Sequence, residues 1–201
     1  MDFNAIIKRV IAILTKPKEE FEVIKNEQMS VADMYTKYAI ILATIPAIAG
    51  FIGWVAIGKS FGFATLRIPV GRALVWAVLQ YVMSLAAAYV LALIVDALAP
   101  SFGAQKDMNR SLKVVIFSYT ASWVGGIFYL IPALSIIAAI AGFYTLYLLY
   151  TGLKSLKEVA DDKITGYFVV TLIASVVVFL LIGFLVATIA FGSGAASHMM
   201  F

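Results

Sequence analysis

The last long apolar stretch of the chain, residues 167–191, reads YFVVTLIASVVVFLLIGFLVATIAF and contains no charged residue. A helix needs about 20 mainly apolar residues to cross a hydrocarbon core of ~30 Å, so this stretch is long enough. The whole chain is similar, because 63% of its 201 residues are hydrophobic and 13% are charged. A soluble domain carries roughly 25% charged residues. The composition therefore excludes soluble, disordered and collagen-like proteins and predicts an integral membrane protein.

Four other stretches qualify or nearly qualify as spans: residues 38–57, 73–95, 114–131 and 133–150. The predicted fold class is all-α, a polytopic membrane protein with five transmembrane helices. The third and fourth stretches are only 18 residues each, and Pro132 marks the turn between them. They form either two thin spans or a short helical hairpin whose tip stays within the far leaflet.

Residues 1–37 are predicted to form amphipathic and capping helices ahead of a membrane domain at 38–191, with a flexible tail at 192–201. On a helical wheel of residues 2–16 the large apolar side chains fill one arc. A short basic helix of this kind lies in the membrane interface or packs on the protein's own loops, and we favour the interface. The candidate membrane-interface residues are Phe3, Ile6, Ile7, Val10, Ile11 and Leu14, with Ile13 on the same arc.

Three local patterns predict where helices begin. Pro17 suits the first turn of a second helix, where a missing N–H costs little. Ser30 and Asp33 have the spacing of a capping box for a helix that runs on into the first span. Asp107 is placed to cap the helix of the third span.

The charges predict the direction of the spans. Five spans put 12 Lys and Arg residues on the N-terminal side and 3 (Lys59, Arg67 and Arg72) on the other. The positive-inside rule then places the N-terminus in the cytoplasm and the C-terminus outside, in a cell (inner) membrane. All 11 acidic residues also fall on the cytoplasmic side. This dense but nearly neutral face suits protein contacts or internal salt bridges better than adhesion to anionic lipid.

Residues typical of catalysis are scarce. The chain has no Cys, its one His is His198 in the tail, and no P-loop or zinc motif occurs. We expect no enzyme activity, no cofactor, no metal and no nucleic-acid partner. No span carries a charge at its middle, where ion pathways usually place one. An oligomeric channel or small-solute transporter remains an alternative, with hydroxyls available at Ser84, Ser118, Thr120, Ser122, Thr145 and Thr171.

Small residues mark candidate helix-packing positions. Ser118, Ser122 and Gly126 follow one another at four-residue spacing in the third span, and Ala138 and Gly142 do so in the fourth. Small side chains let helices approach closely in a membrane. These faces serve either packing within the chain or a homo-oligomer.

Aromatic residues cluster in the same two spans. Tyr119 and Trp123 in the third, and Tyr144 and Tyr147 in the fourth, share a depth if the spans are antiparallel. They either pack in the core or line a cytoplasm-facing cavity for a lipid chain or a partner's helix.

Charges of both signs mark the two loops that flank this pair of spans, with Lys106 and Asp107 before it and Asp162 and Lys163 after it. The loops are expected to lie close together. They form either a solvated face or a docking surface for a cytoplasmic partner protein.

The order and spacing of many short elements resemble the Ypt-interacting protein (YIP) family in its prokaryotic branch. The elements are Pro17–Phe21, Ile24, Glu27, Tyr35, Tyr38, Ile45–Ala47, Phe102–Asp107, Ser118–Trp123, Gly125–Ile127, Ile131–Pro132, Gly142, Tyr144–Gly152 and Asp162–Tyr167. Phe21 stands where many relatives carry Trp, and the Tyr-Gly-Pro element of eukaryotic members is missing, so GTPase binding is not carried over. The resemblance implies five helices and a cytoplasmic N-terminus.

These features together favour a non-enzymatic membrane scaffold that recruits a partner protein or lipid at its cytoplasmic face. The expected partners are membrane lipids, a cytoplasmic protein and, through the small-residue faces, a second copy of the chain.

Overall fold

The structure, a computed structural model, describes residues 3–61 and 64–191. The predicted tail at 192–201, including His198, lies outside the described residues. The chain opens with two short helices, α1 (Phe3–Thr15) and α2 (Pro17–Asn26), and Pro17 stands in the first turn of α2 as expected. They are followed by five helices long and apolar enough to cross a membrane: α3 (Val31–Ile57), α4 (Val70–Phe102), α5 (Met108–Leu130), α6 (Pro132–Lys157) and α7 (Ile164–Phe191).

Among the described residues, strands occur only between α3 and α4, where β1 (Lys59–Phe61) and β2 (Ala64–Leu66) pair antiparallel. The register sets Lys59 opposite Leu66. The rest of the described chain is helix and connecting turns. The predicted all-α membrane fold with five spans is therefore confirmed.

The first membrane helix begins where the capping box predicts. The hydroxyl oxygen of Ser30 accepts the backbone N–H of Asp33 at 3.0 Å, which satisfies one of the free N–H groups of the first turn. The helix then continues without a break to Ile57, although residues 35–39 and 53–57 widen into π-helical turns. Pro46 lies inside the regular α-helical part between these two turns.

The third membrane helix, α5, is the centre of the bundle. In its membrane-length window 78% of residues are buried, against 17–33% in the other four helices. The helix is interrupted at Tyr119 and ends in a 3-10 segment, Gly126–Leu130. Its abundance of Ser, Thr and Gly follows from this position, because a helix surrounded by other helices needs small side chains on several faces.

The turn predicted at Pro132 is present. Ile131 is extended and Pro132 starts a second 3-10 segment that leads into α6. The tip of this hairpin packs on the end of α3, where a Cβ on Gly53 would lie 2.1 Å from the carbonyl oxygen of Tyr129. A side chain at residue 53 would thus displace the tip.

Candidate functional site

The end of the bundle at which α1, α2 and the loops 103–107 and 158–163 meet is called the charged end. The two loops lie side by side, as expected, because residues next to them are in contact. The rings of Phe102 and Tyr167 stack with centroids 5.0 Å apart. The hydroxyl of Tyr167 also donates to the carbonyl of Val95 in α4.

A buried ion pair fixes the loop between α4 and α5. The side chain of Lys157 has no exposed area, and its Nζ donates to Asp96 Oδ1 at 3.3 Å and to the carbonyls of Gln105 and Asp107 at 3.2 Å each. Asp96 Oδ1 also accepts the backbone N–H of Asp107 at 2.7 Å and the hydroxyl of Ser111 at 3.0 Å. A buried charge is tolerated only when it is paired and hydrogen-bonded. This cluster therefore holds the loop in one conformation.

The next loop is tied to α5 and α2 through Glu158. Glu158 ends α6 in the left-handed conformation, with φ of 53°. Its carboxylate accepts from Arg110 at 2.9 Å and from Lys25 at 2.6 Å. These two cations hold the pKa of Glu158 below its usual value. Arg110 N–H in turn donates to Asp107 Oδ1 at 3.0 Å, so Asp107 caps α5 as predicted.

Between these two loops lies a polar cleft of about 360 Å³, here called the platform cleft. Lys106 and Asp107, predicted from the sequence, line it. Asp162 and Lys163 are exposed on the neighbouring loop, and Lys163 Nζ lies 3.5 Å from where a Cβ on Gly103 would stand. The four predicted loop residues thus surround one surface. The cleft is lined by Gly103, Ala104, Gln105, Lys106, Asp107, Arg110, Leu156, Lys157 and Glu158.

Arg9 faces the interior of the charged end, although the helical wheel assigns it to the polar arc of α1. Its side chain is 10% exposed. It donates to Glu20 at 2.6 Å and to Glu27, and its guanidinium lies 5.9 Å from the ring centre of Phe117. The acidic residues of α2 draw the guanidinium inward, where it joins α1 to α2 and α5.

The apolar arc of α1 is divided between two environments. The face that packs on the protein consists of Ile6 and Ile13, which are buried, and Val10 and Leu14, which are partly buried. The face that remains exposed consists of Phe3, Ile7 and Ile11, spaced four residues apart. The first set therefore fits packing on the protein, and the second set fits contact with the membrane interface.

The end of α2 is docked on α5 by Lys113. This side chain is 3% exposed overall, and its Nζ donates to the carbonyl of Ile24 at 3.0 Å and to that of Glu27. A cation at a helix C-terminus binds unpaired carbonyls and complements the helix dipole. Phe21 secures the middle of α2, since a Cβ on Gly152 would lie 3.0 Å from its ring.

The four predicted aromatic residues form two separate pairs. Tyr119 and Trp123 are buried and meet edge to face at 5.7 Å. The Tyr119 ring also lies 6.1 Å from the Phe179 ring of α7. Tyr144 and Tyr147 lie 5.6 Å apart on another side of α6, where the Tyr144 hydroxyl donates to a carbonyl at the end of α1 at 2.9 Å. Tyr144 thus links α6 to α1, while Tyr147 is 43% exposed.

The small hydroxyl residues of α5 serve packing within the chain. Ser118 is buried and donates to the carbonyl of Val114 in its own helix at 2.6 Å. Ser122 Oγ lies 2.7 Å from Thr145 Oγ1 of α6, so a hydroxyl pair joins the two arms of the hairpin. A second hydroxyl pair, Thr120 Oγ1 and the hydroxyl of Tyr38 at 2.8 Å, joins α5 to α3.

The predicted small-residue faces differ in what they contact. A Cβ on Gly126 would lie 2.5 Å from Pro46, so Gly126 faces α3 rather than α6. Its neighbour Gly125 makes the close approach to α6, where a Cβ would lie 2.3 Å from Ala141. Ala138 is buried, whereas a Cβ on Gly142 would have nothing within 4 Å. Gly142 therefore takes no part in a close contact within this chain.

A second cleft, the α2–α6 cleft, opens between α2 and the last turns of α6 and has a volume of about 540 Å³. Tyr147 is the one sequence candidate that lines it. On α2 the cleft is lined by Lys18, Glu22 and Lys25, whose spacing of four and three residues places them on one face of a helix. This spacing is the sequence pattern that predicts the α2 side of the cleft. The α6 side could not be paired with it from sequence alone. The lining residues are Lys18, Glu22, Lys25, Tyr147, Tyr150, Thr151, Lys154, Ser155 and Glu158.

Metal binding finds no support in this geometry. Within residues 3–61 and 64–191, no three His, Cys, Asp or Glu side chains are grouped so that they could hold an ion.

Sequence comparisons extend over nearly the whole chain. The family model of the Yip1 domain matches residues 11–200. The chain is also similar to the protein named "Inner membrane protein YohC" of Escherichia coli strain K12, with 27% identity over 161 residues, covering 78% of this chain and 83% of the relative. The same values hold for the protein of that name in Escherichia coli O6:H1. No solved structure matches the chain.

Proposed function

Because the chain belongs to the Yip1 domain family, we propose that it is a non-enzymatic scaffold of the inner membrane whose charged end faces the cytoplasm and recruits a partner protein. The observation that carries the proposal is the platform cleft and the loops around it. Their conformation is fixed from below by the buried Asp96–Lys157 pair, while Lys106 on the cleft and Asp162 on the next loop point charges of both signs toward solvent.

A prearranged surface of this kind favours protein recognition. Charged groups across an interface set specificity and association rate more than raw affinity, and a rigid surface loses little entropy on binding. The loop residues meet both conditions. Lys157 donates to the backbone carbonyls of Gln105 and Asp107, and the ion pairs of Glu158 with Lys25 and Arg110 tie the next loop to α2 and α5. On the side of the spans that carries the charged end, 12 basic and 11 acidic residues nearly cancel, which argues against simple adsorption to anionic lipid.

The orientation rests on the charge count and on the relative. Twelve of the 15 Lys and Arg residues lie on the side of the N-terminus. The relative at 27% identity carries the name of an inner membrane protein. The charge count supports a charged end in the cytoplasm, and the relative's name supports the inner membrane as the location.

The absence of catalysis is proposed from composition. The chain has no Cys and its single His stands near its end. The buried charges of the charged end make hydrogen bonds to one another and to backbone carbonyls, which is the pattern of a structural network.

A channel receives less support than a scaffold. Its hydroxyl-lined path would need free hydroxyls, but those of Ser84, Ser118, Thr120, Ser122 and Thr145 bond to carbonyls or to other hydroxyls. Of the six candidates, Thr171 alone has a hydroxyl without a partner among the described residues, and one buried hydroxyl does not line a path. Flux of a small solute from liposomes that contain the purified protein would revive this alternative.

Photocrosslinking in cells tests the recruitment. A photoreactive amino acid at Lys106 or at Asp162 should give a discrete adduct with another protein, and the same residue at Arg67, exposed at the opposite end, should give none. The platform variant Lys106→Glu should weaken the adduct formed from position 162. Equal adducts from position 67, or none from the charged end, would contradict the proposal.

A further inference from the structure

The α2–α6 cleft combines two features that together suit a phospholipid. Three lysines line it: Lys18, Lys25 and Lys154. Lys18 forms no ion pair with any described residue, whereas Lys25 is paired with Glu158 at 2.6 Å and Lys154 with Asp161 at 2.6 Å. Glu22 and Glu158 of the lining, with Asp161 beside it, equal the three lysines in number, so the cation open to the single negative charge of a phosphodiester is the unpaired Lys18.

The second feature is an apolar track that leads into the cleft. Ile136, Ile140 and Phe143 are 66%, 62% and 73% exposed and lie on one face of α6. Tyr147 continues the same face at the mouth of the cleft. At 1.5 Å per residue the track is about 16 Å long, close to half of a ~30 Å hydrocarbon core. An acyl chain laid along it would reach from the cleft to about the bilayer centre.

The surroundings of the cleft also fit a lipid boundary. Tyr147 and Tyr150 line the cleft together with its lysines, and membrane proteins place aromatic and lysine side chains of this kind at the headgroup level. On the neighbouring α1, Phe3, Ile7 and Ile11 present an exposed apolar face, which is more stable in contact with lipid than with water.

From this geometry we propose that the α2–α6 cleft binds the phosphate of one glycerophospholipid, whose acyl chain runs along Ile136, Ile140 and Phe143. Lys18 and Lys154 contact the phosphate. Binding to Lys154 competes with Asp161, which pairs with the same ammonium group at 2.6 Å. The α2–α6 cleft shares Glu158 with the platform cleft, but Lys18 and Lys154 line the α2–α6 cleft alone, so variants at these two lysines test the lipid site apart from partner recruitment.

Native mass spectrometry of the full chain in detergent micelles measures this binding, with phosphatidylglycerol as the probe. Each lysine near a phosphate contributes about fivefold to affinity, so Lys18→Gln with Lys154→Gln should weaken binding about 25-fold. The matched control is Lys8→Gln, which removes an exposed lysine of α1 outside the cleft and should leave binding within about twofold.

A gain of affinity separates a lost site from a damaged fold. Asp161→Asn frees Lys154 and should tighten binding about twofold, an effect that misfolding does not produce. Diacylglycerol with the same chains should not bind, and inorganic phosphate should not displace the phospholipid. The proposal is overturned if diacylglycerol binds equally, if free phosphate displaces the lipid, if Lys8→Gln weakens binding as much as the cleft variants, or if Asp161→Asn does not tighten binding.

Discussion

Replacing Lys157 with Met should strongly destabilise the protein. Among the lysines of the charged end, only Lys113, which docks the end of α2, should be comparably costly to replace. The ammonium group has no exposed area and makes three hydrogen bonds. Its loss leaves Asp96 without its cation and removes one donor from each of two loop carbonyls, although the Asp107 carbonyl still accepts the backbone N–H of Ser111 at 2.9 Å. Removing one partner of a buried pair costs 3–5 kcal/mol, and we expect about 3 kcal/mol because Asp96 keeps the donors Asp107 N–H and Ser111 and is 18% exposed.

The assay is unfolding of the purified protein in micelles, followed by circular dichroism and by fluorescence. Lys154→Met is the matched control, since this lysine lies three residues earlier on α6, is 51% exposed and pairs with the exposed Asp161. Its cost should be much smaller than that of Lys157→Met, because an exposed ion pair adds little to stability. Adding Asp96→Asn to Lys157→Met should cost less than the sum of the two single changes, by at least about 1.5 kcal/mol.

Two outcomes would refute the reasoning. If Lys157→Met costs no more than Lys154→Met, the buried pair does not stabilise the charged end. If the costs of Asp96→Asn and Lys157→Met simply add, the two side chains are not coupled.

Three further changes test other contacts of the structure. Gly126→Ala should lower stability by about 1–3 kcal/mol, because its Cβ would overlap α3. Gly142→Ala, which meets no neighbour, should be neutral or stabilising by up to about 1 kcal/mol. Thermal unfolding of both variants in micelles compares them, and equal costs would contradict the packing. Because its cations lower the pKa of Glu158, the carboxylate adds stability at neutral pH that is lost as the pH falls through and below the usual glutamate value of 4.5; the stability difference between wild type and Glu158→Gln should therefore shrink on acidification, and a constant difference would refute this. Thr145→Val should cost about 0.6 kcal/mol by removing the hydroxyl bond to Ser122. In a Ser122→Ala background that cost should be smaller but not zero in a denaturation series, because the Thr145 hydroxyl still bonds to the backbone N–H of residue 122 and to the Ala141 carbonyl, and an unchanged cost would contradict the pairing.

The membrane helices could be predicted because their evidence is local. Long runs without charge, such as residues 167–191, determine a span whatever surrounds them. The same holds for caps, since Ser30 and Asp107 act on backbone N–H groups three residues away. The sequence resemblance to the YIP family agrees with the family match over residues 11–200.

The partners of single side chains could not be predicted in this way. Arg9 has the sequence context of a solvent-facing residue, and only the position of Glu20, which lies 11 residues further on, brings it inside. Gly126 and Gly142 look alike in sequence, yet one meets Pro46 and the other has no near neighbour. Tyr119 and Tyr144 were assigned to one level on α5 and α6, but the rotation of each helix turns them toward different neighbours. Such contacts depend on helix rotation and crossing, which periodicity alone leaves open.

The claim that the charged end is the cytoplasmic working face can be tested most directly by thiol labelling from one side. The chain has no Cys, so Lys106→Cys at the charged end and Arg67→Cys at the opposite end each introduce a single exposed thiol. With a membrane-impermeant maleimide, position 67 should label in spheroplasts, and position 106 should label only in inside-out vesicles. Labelling of position 106 in intact spheroplasts would place the platform outside the cytoplasm and contradict the account.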